Sequence, residues 1–188
     1  MKIEMDAVTS EVMSELELTQ HDFWNVSRQT GIVLNTFVKM VNAKNVLEIG
    51  TSNGYSGLWI AKALKQTGGH LTTIEFYEKR QSIAIENFKK CGVDDIITPL
   101  QGDACEVIKS FSEDKIFDAV FIDANKKEYV DFFNLLKSHF AKHAVILADN
   151  IISHWLKVQP FINTLEAEKD FQYEILELPA GLLIAYKN

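Results

Sequence analysis

"NVLEIGTSNGYSGLWIAKALKQ", residues 45–66, holds a short apolar run, a glycine-rich turn and a helical segment in immediate succession. "NVLEIG" reads as a strand that ends at Gly50, and "GYSGLWIAKALKQ" as the helix behind it. One such unit is weak evidence on its own. Repetition gives it weight, because the same pattern recurs along the chain.

"HLTTIE" (70–75) is the next strand, followed by the helix "EKRQSIAIENFKKCG" (78–92), with Gly92 placed to cap it. "DIITPLQ" (95–101) precedes the short helix "DACEVIKSF" (103–111). "IFDAVFID" (116–123) precedes the helix "KKEYVDFFNLLKSHF" (126–140), and "HAVILAD" (143–149) is the fifth strand. "LKVQPFINTLEAE" (156–168) is helical, with Pro160 expected to kink or split it. "FQYEILEL" and "LLIAYK" flank Pro179-Ala180-Gly181 as an antiparallel pair. Upstream, apolar residues recur at near-helical spacing from Asp22 to Val41, with Gly31 as a break point. Alternating strands and helices, with strands apolar on both faces, predict an α/β fold. Its sheet is mostly parallel, covered by helices on both sides and extended by an antiparallel edge.

The 188 residues suit one domain, 1–188, and nothing in them resembles a linker or repeat. Residues 1–21 are acidic and expected to form a mobile N-terminal helix. A net charge of −7 argues against nucleic-acid binding by bulk phosphate neutralisation, though not against an RNA held by a local patch. Cys91 and Cys105 read as reduced thiols. No apolar run reaches the ~20 residues of a membrane span. The N-terminus lacks a signal-peptide core, so the expected location is the cytoplasm, away from membranes.

In a parallel sheet of this kind ligands bind beyond the carboxyl ends of the strands. The first tip, Glu48 to Gly57, has neither the G-x-G-x-x-G spacing of dinucleotide sites nor the G-K-[ST] of phosphate-cradling loops. The second ends in Glu75, an acid placed to accept both hydroxyls of a ribose. The third carries Gly102-Asp103-Ala104, where Asp103 and the Ala104 N–H would frame an adenine; a helix N-cap is an equally good reading of Asp103. A ribose-and-adenine pocket without phosphate recognition suggests S-adenosylmethionine (SAM).

"FDAVFIDANK" (117–126) and "AVILADN" (144–150) both run from apolar core into polar tips. Neighbouring strands lie about 4.8 Å apart, so Asp123, Asp149 and Asn150 can share one small cation. Two carboxylates, an amide oxygen and open positions suit Mg²⁺. Lys126 stands at a helix N-terminus, where the dipole disfavours it. Facing the site, it would serve as a general base; the alternative is a surface lysine.

These stretches, with "IEFYEKR" and "GVDDIITPLQGDA", resemble the cation-dependent, SAM-dependent O-methyltransferases, which include catechol and caffeoyl-CoA O-methyltransferases and small bacterial forms. The resemblance covers about residues 22–188. It implies a Rossmann-like, seven-stranded class I methyltransferase fold ending in an antiparallel hairpin. Asp123, Asp149 and Asn150 would bind Mg²⁺ or a similar divalent cation, and Lys126 would take the substrate proton. Glu75 would hold the SAM ribose; Val26, Glu48, Gly50, Ser52 and Ser56 would line its methionine side; Phe76 and Ala104 would line the adenine. Asp123 and Asn125 would stand near the sulfonium. The implied acceptor is a small aromatic diol, and a homodimer is the expected assembly.

The chain departs from the catechol pattern at Leu183, where a catechol O-methyltransferase carries a carboxylate. The segment from Ile151 to Asp170 is particular to this sequence, and its His154 and Trp155 are candidates for the substrate mouth. Two other classes remain open at this point. One is a metal-independent SAM methyltransferase acting on RNA or protein, and the other a SAM-binding module without catalysis.

Overall fold

The computed structural model describes residues 3–188. Seven strands, β1 (Asn45–Ile49), β2 (His70–Glu75), β3 (Ile97–Gln101), β4 (Phe117–Ile122), β5 (Phe140–Ala148), β6 (Phe171–Leu176) and β7 (Leu182–Lys187), form one sheet in the order β3-β2-β1-β4-β5-β7-β6. The first five run parallel, and β7 joins β5 and β6 antiparallel. The strand order reverses between β1 and β4, which makes the crevice above their tips the expected ligand position.

The period-2 alternation of each strand divides the core. On one face Val46, Ala119, Phe121, Val145 and Leu147 pack against α1 (Ala7–Leu18), α3 (Arg28–Met40), α4 (Tyr55–Thr67) and α5 (Glu78–Lys90). On the other, Leu47, Ile49, Val120, Ile122 and Ile146 pack against α6 (Ala104–Lys109), α7 (Tyr129–Leu136) and α8 (Trp155–Ala167). Glu48 falls on the first face by the same alternation, under α4. Among the described residues no helix is long and apolar enough to cross a membrane.

Several local expectations are corrected. The N-terminal segment does form a helix, but α1 is not free-standing: it buries Val12, Met13 and Leu16. Asp6 caps α1 through Thr9 N–H and pairs with Lys62 at 2.7 Å. The run from Asp22 to Val41 is not one helix. The short α2 (Gln20–Phe23) ends at Trp24, whose left-handed backbone (φ 56°) turns the chain, and Ser27 caps a new helix, α3. The helix after β4 is shorter than expected, because 3₁₀ turns at Lys126–Glu128 and Lys137–His139 flank α7. Pro160 does not split α8. It sits on the exposed side, and the carbonyl it leaves unbonded belongs to exposed Leu156.

Gly31 does not break α3 either. It gives way to Trp59 of α4: a Cβ built on Gly31 would overlap the indole, which is 2% exposed. Asn35, one turn on, donates to the Trp59 carbonyl at 2.8 Å. Gly31→Ala would gain about 1 kcal/mol in helix propensity. Overpacking against a trapped indole costs roughly 1–3 kcal/mol, and that term should win. A lowered denaturation midpoint is the expected result, and a midpoint equal to or above wild type would contradict this packing.

Candidate active site

At the tip of β1 the chain turns through Gly50 (φ 103°), Ser52 (φ 50°) and Gly54 (φ 89°). Gly50 is dictated by both backbone and space, since a Cβ there would collide with the Asp123 carbonyl at the tip of β4. The turn is tied to β2. Gly50 N–H donates to Ile74 O at 2.9 Å, and Ser52 N–H donates to Glu75 Oε2 at 2.7 Å. Tyr77 N–H donates to Glu75 Oε1 at 2.9 Å. Two backbone donors thus fix the Glu75 carboxylate, and each oxygen keeps acceptor capacity for a ligand hydroxyl.

Glu48 and Ser56, both expected on the cofactor's methionine side, are bonded to one another. Glu48 is fully buried and accepts from Ser56 Oγ at 2.6 Å and from Thr73 Oγ1 at 2.6 Å. Thr73, opposite Glu48 in the β1–β2 register, also meets the hydroxyl of Thr51. These two threonines escaped the sequence reading: strand alternation puts Thr73 on the same face as Leu71, but only the register pairs it with Glu48. Burial pushes the Glu48 carboxyl up to about 7, against the two hydroxyl bonds and with the charges of Asp123 and Glu75 adding to the rise.

That rise has a definite sign. In the unfolded chain the group ionises at its ordinary value near 4.5, so the folded state holds its proton over a higher pH range. Stability is greatest below about pH 4.5 for this group and declines as pH rises to about 7, by at most roughly 3 kcal/mol. Glu48→Gln should flatten that slope in denaturant titrations between pH 5 and 8. Equal slopes in both proteins would show that Glu48 does not titrate across this range.

At the tip of β3, Gly102 N–H donates to Glu75 O at 3.0 Å, which draws the adenine-side residues next to Glu75. Asp103 caps α6, accepting from Glu106 N–H at 3.1 Å, so the N-cap reading of this residue holds. Ala104 is half-buried as the first residue of α6, and Phe76 stands exposed beyond Glu75. Val26 is buried in the core beneath the start of α3. Ser52 Oγ donates to Phe23 O at 2.8 Å and so ties the α2–α3 link to the glycine turn.

The acidic half is formed by the tips of β4 and β5. Asp123 N–H donates to Ile49 O and Asp149 N–H to Ile122 O, so β1, β4 and β5 hand their tips to one another. Tyr129, buried in α7, reaches the carbonyls of Ile122 and Asp149 at 3.3 and 3.2 Å. Lys126 Nζ lies 2.9 Å from Asp123 Oδ1, with both side chains largely buried, so it faces the site instead of solvent. Asn150 adopts φ 65°, a left-handed turn directly after β5, and its Nδ2 donates to Ser153 Oγ at 3.4 Å. Asn125 is exposed and caps the 3₁₀ turn of Lys126–Glu128 through Lys127 N–H.

Asp149 is the anomaly. It is 2% exposed, and its Oδ1 has no hydrogen-bond partner. Burial, then the charge of Asp123, raises its carboxyl above the usual carboxylate range against the pull of the Asn150 N–H and Lys126. A buried carboxylate with an orphaned oxygen beside a second carboxylate is costly unless a positive charge completes it. Among the described residues no three His, Cys, Asp or Glu side chains gather as a metal set. Two carboxylates with the Asn150 amide are what this corner offers, and that oxygen-only donor set fits a hard divalent cation.

His154 N–H donates to Asn150 O at 3.0 Å, and its ring lies close enough to the Lys126–Asp123 pair for both charges to act on it; burial, first, and Lys126 lower its pKa. Trp155 beside it is 42% exposed. Leu183 pairs with Ala148 in the sheet and is fully buried, so β7 brings no carboxylate to this tip.

A family model described as O-methyltransferase matches residues 3–174. A catechol O-methyltransferase of Niastella koreensis is 33% identical over 130 residues, covering 68% of this chain and 58% of that protein. A caffeoyl-CoA O-methyltransferase of Medicago sativa is 31% identical over 158 residues, covering 80% and 64%. The chain spans about six tenths of the length of the curated relatives it matches. Among solved structures, the O-methyltransferase of Bacillus cereus in complex with SAH superposes with a TM-score of 0.88 at 26% identity, covering 99% of this chain and 93% of that one. The sheet order, the turn at Gly50 and the match over nearly the whole sequence lead to one conclusion: the chain belongs to the O-methyltransferase family.

Proposed function

We propose that the protein transfers a methyl group from SAM to one hydroxyl of a small aromatic vicinal diol, of catechol or caffeoyl type, with Mg²⁺ or a similar divalent cation assisting. The observation that carries this reading is the orphaned oxygen of buried Asp149 beside Asp123 and Lys126. An RNA or protein methyltransferase without a metal, or a non-catalytic SAM binder, leaves that carboxylate unexplained. Support for the cofactor comes from Glu75 and its backbone donors, and from the SAH-bound Bacillus relative.

Asp123, Asp149 and Asn150 would hold the cation, which supplies the charge that makes a chelating hydroxyl acidic. Glu75 holds the ribose hydroxyls, and the turn from Gly50 to Gly54 brings backbone beneath the cofactor. Lys126 Nζ, acting as the free amine, takes the proton from the acceptor hydroxyl, the phenolate oxygen attacks the methyl carbon in line, and the C–S electron pair stays on sulfur to give SAH. The protein's main contribution is alignment. Leu183 offers the second acceptor oxygen no hydrogen bond from β7. The same proposal takes residues 1–188 as a single catalytic domain acting in the cytoplasm as a homodimer; a monomeric mass in solution would remove the dimer.

Cation binding is testable apart from turnover. Equilibrium dialysis with Mn²⁺ should find one ion per chain in the wild type. Asp149→Ala should weaken that site at least 100-fold, in line with the loss of a direct carboxylate ligand from a three-ligand set. Equal Mn²⁺ affinity in the two proteins would remove Asp149 from the ligand set.

A further inference from the structure

Trp24 is 72% exposed, an unusual position for the largest apolar side chain, and its left-handed backbone holds it out of the core. The guanidinium of Arg80, in the first turn of α5, stacks on its ring at 4.5 Å and lies 5.4 Å from the ring of Tyr77. Phe76 packs edge-on against Tyr77 at 5.2 Å. Among the described residues Arg80 makes no ion pair, so the rings are what position it. The link that carries Trp24 is anchored at Phe23 O by Ser52, and Ser52 N–H is itself a donor to Glu75. Tyr77 N–H is the other donor to Glu75. Both sides of this aromatic clasp are therefore bonded to the groups that set the Glu75 carboxylate.

We propose that Trp24 and Arg80 form a clasp over the nucleoside half of the cofactor at Glu75, and that the clasp slows cofactor release. This rests on the reading of Glu75 as the ribose-binding carboxylate. The exposed indole gains a covering surface when a nucleoside lies against it, and Arg80 holds the ring in place by cation–π stacking. Arg80 acts through Trp24 and is a positioning residue.

The test is the dissociation rate of labelled SAH, chased with unlabelled SAH, from the full chain and its variants. Arg80→Ala and Trp24→Ala should each release SAH roughly five- to tenfold faster, between the exposed and desolvated limits of a cation–π pair. Arg80→Lys should recover much of the loss. The double variant should be no faster than either single, because the two side chains act as one unit. Glu75→Ala is the control and should bind SAH too weakly to measure. SAH release unchanged in both single variants, or a double variant at the product of the two single effects, would overturn the clasp while leaving the cofactor reading intact. No SAH binding by the wild type would overturn that reading and the clasp together.

Discussion

Lys126→Ala should reduce methyl transfer by 10²–10⁴-fold while SAH affinity stays within about twofold of wild type, the range expected on losing a general base. The expectation comes from placement. Lys126 leaves the tip of β4 three residues after Asp123, and its Nζ folds back onto that carboxylate at 2.9 Å. A lysine in the first turn of a helix is disfavoured by the dipole, and here the turn is a 3₁₀ turn capped by Asn125. With Asp123 and Asp149 both at the site, an amine there is placed to reach an acceptor hydroxyl held between them and the cofactor. Lys126→Arg keeps the charge but hardly ever gives up a proton at neutral pH. It should therefore remain as slow as the alanine variant. Single-turnover rates with saturating SAM separate this loss from binding. Wild-type turnover in Lys126→Ala would remove Lys126 as the base.

The strands that build the site were legible because they are buried on both faces. "VLEI", "AVFI" and "AVILA" are almost wholly apolar, as a central strand requires, until they reach their tips, so the polar residues at the tips stood out. Lys126 pairs with Asp123 at 2.9 Å, both charges act on Asp149, and Glu75 receives backbone donors from both neighbouring loops.

What stayed illegible depends on pairing between distant segments. Glu48 reads as a polar interruption of β1, and only the β1–β2 register shows Thr73 and Ser56 satisfying it inside the core. The break after α2 escaped notice because Trp24, not a glycine, takes the left-handed position. Gly31 looked like a helix breaker, whereas the contact that requires it lies 28 residues on, at Trp59. The packing of α1 was hidden by its acids: Glu11 and Glu15 are exposed, but Glu17 turns inward and accepts from the Tyr55 hydroxyl at 2.7 Å.

Metal removal should have the largest effect of all. Without a cation, Asp123 has Lys126 as its positive partner, Asp149 Oδ1 has no partner among the described residues, and no metal charge makes an aromatic hydroxyl more acidic. A divalent ion bound there would contribute several kcal/mol of charge stabilisation, about 10³-fold or more in rate. The most direct measurement is methyl transfer from SAM across catechols, caffeoyl esters and flavonoids, in EDTA and again after Mg²⁺ is restored. The account predicts turnover of at least one vicinal diol that falls at least 10³-fold in EDTA and returns with Mg²⁺, with mono-hydroxyl analogues inactive throughout. Turnover that is insensitive to EDTA would contradict it.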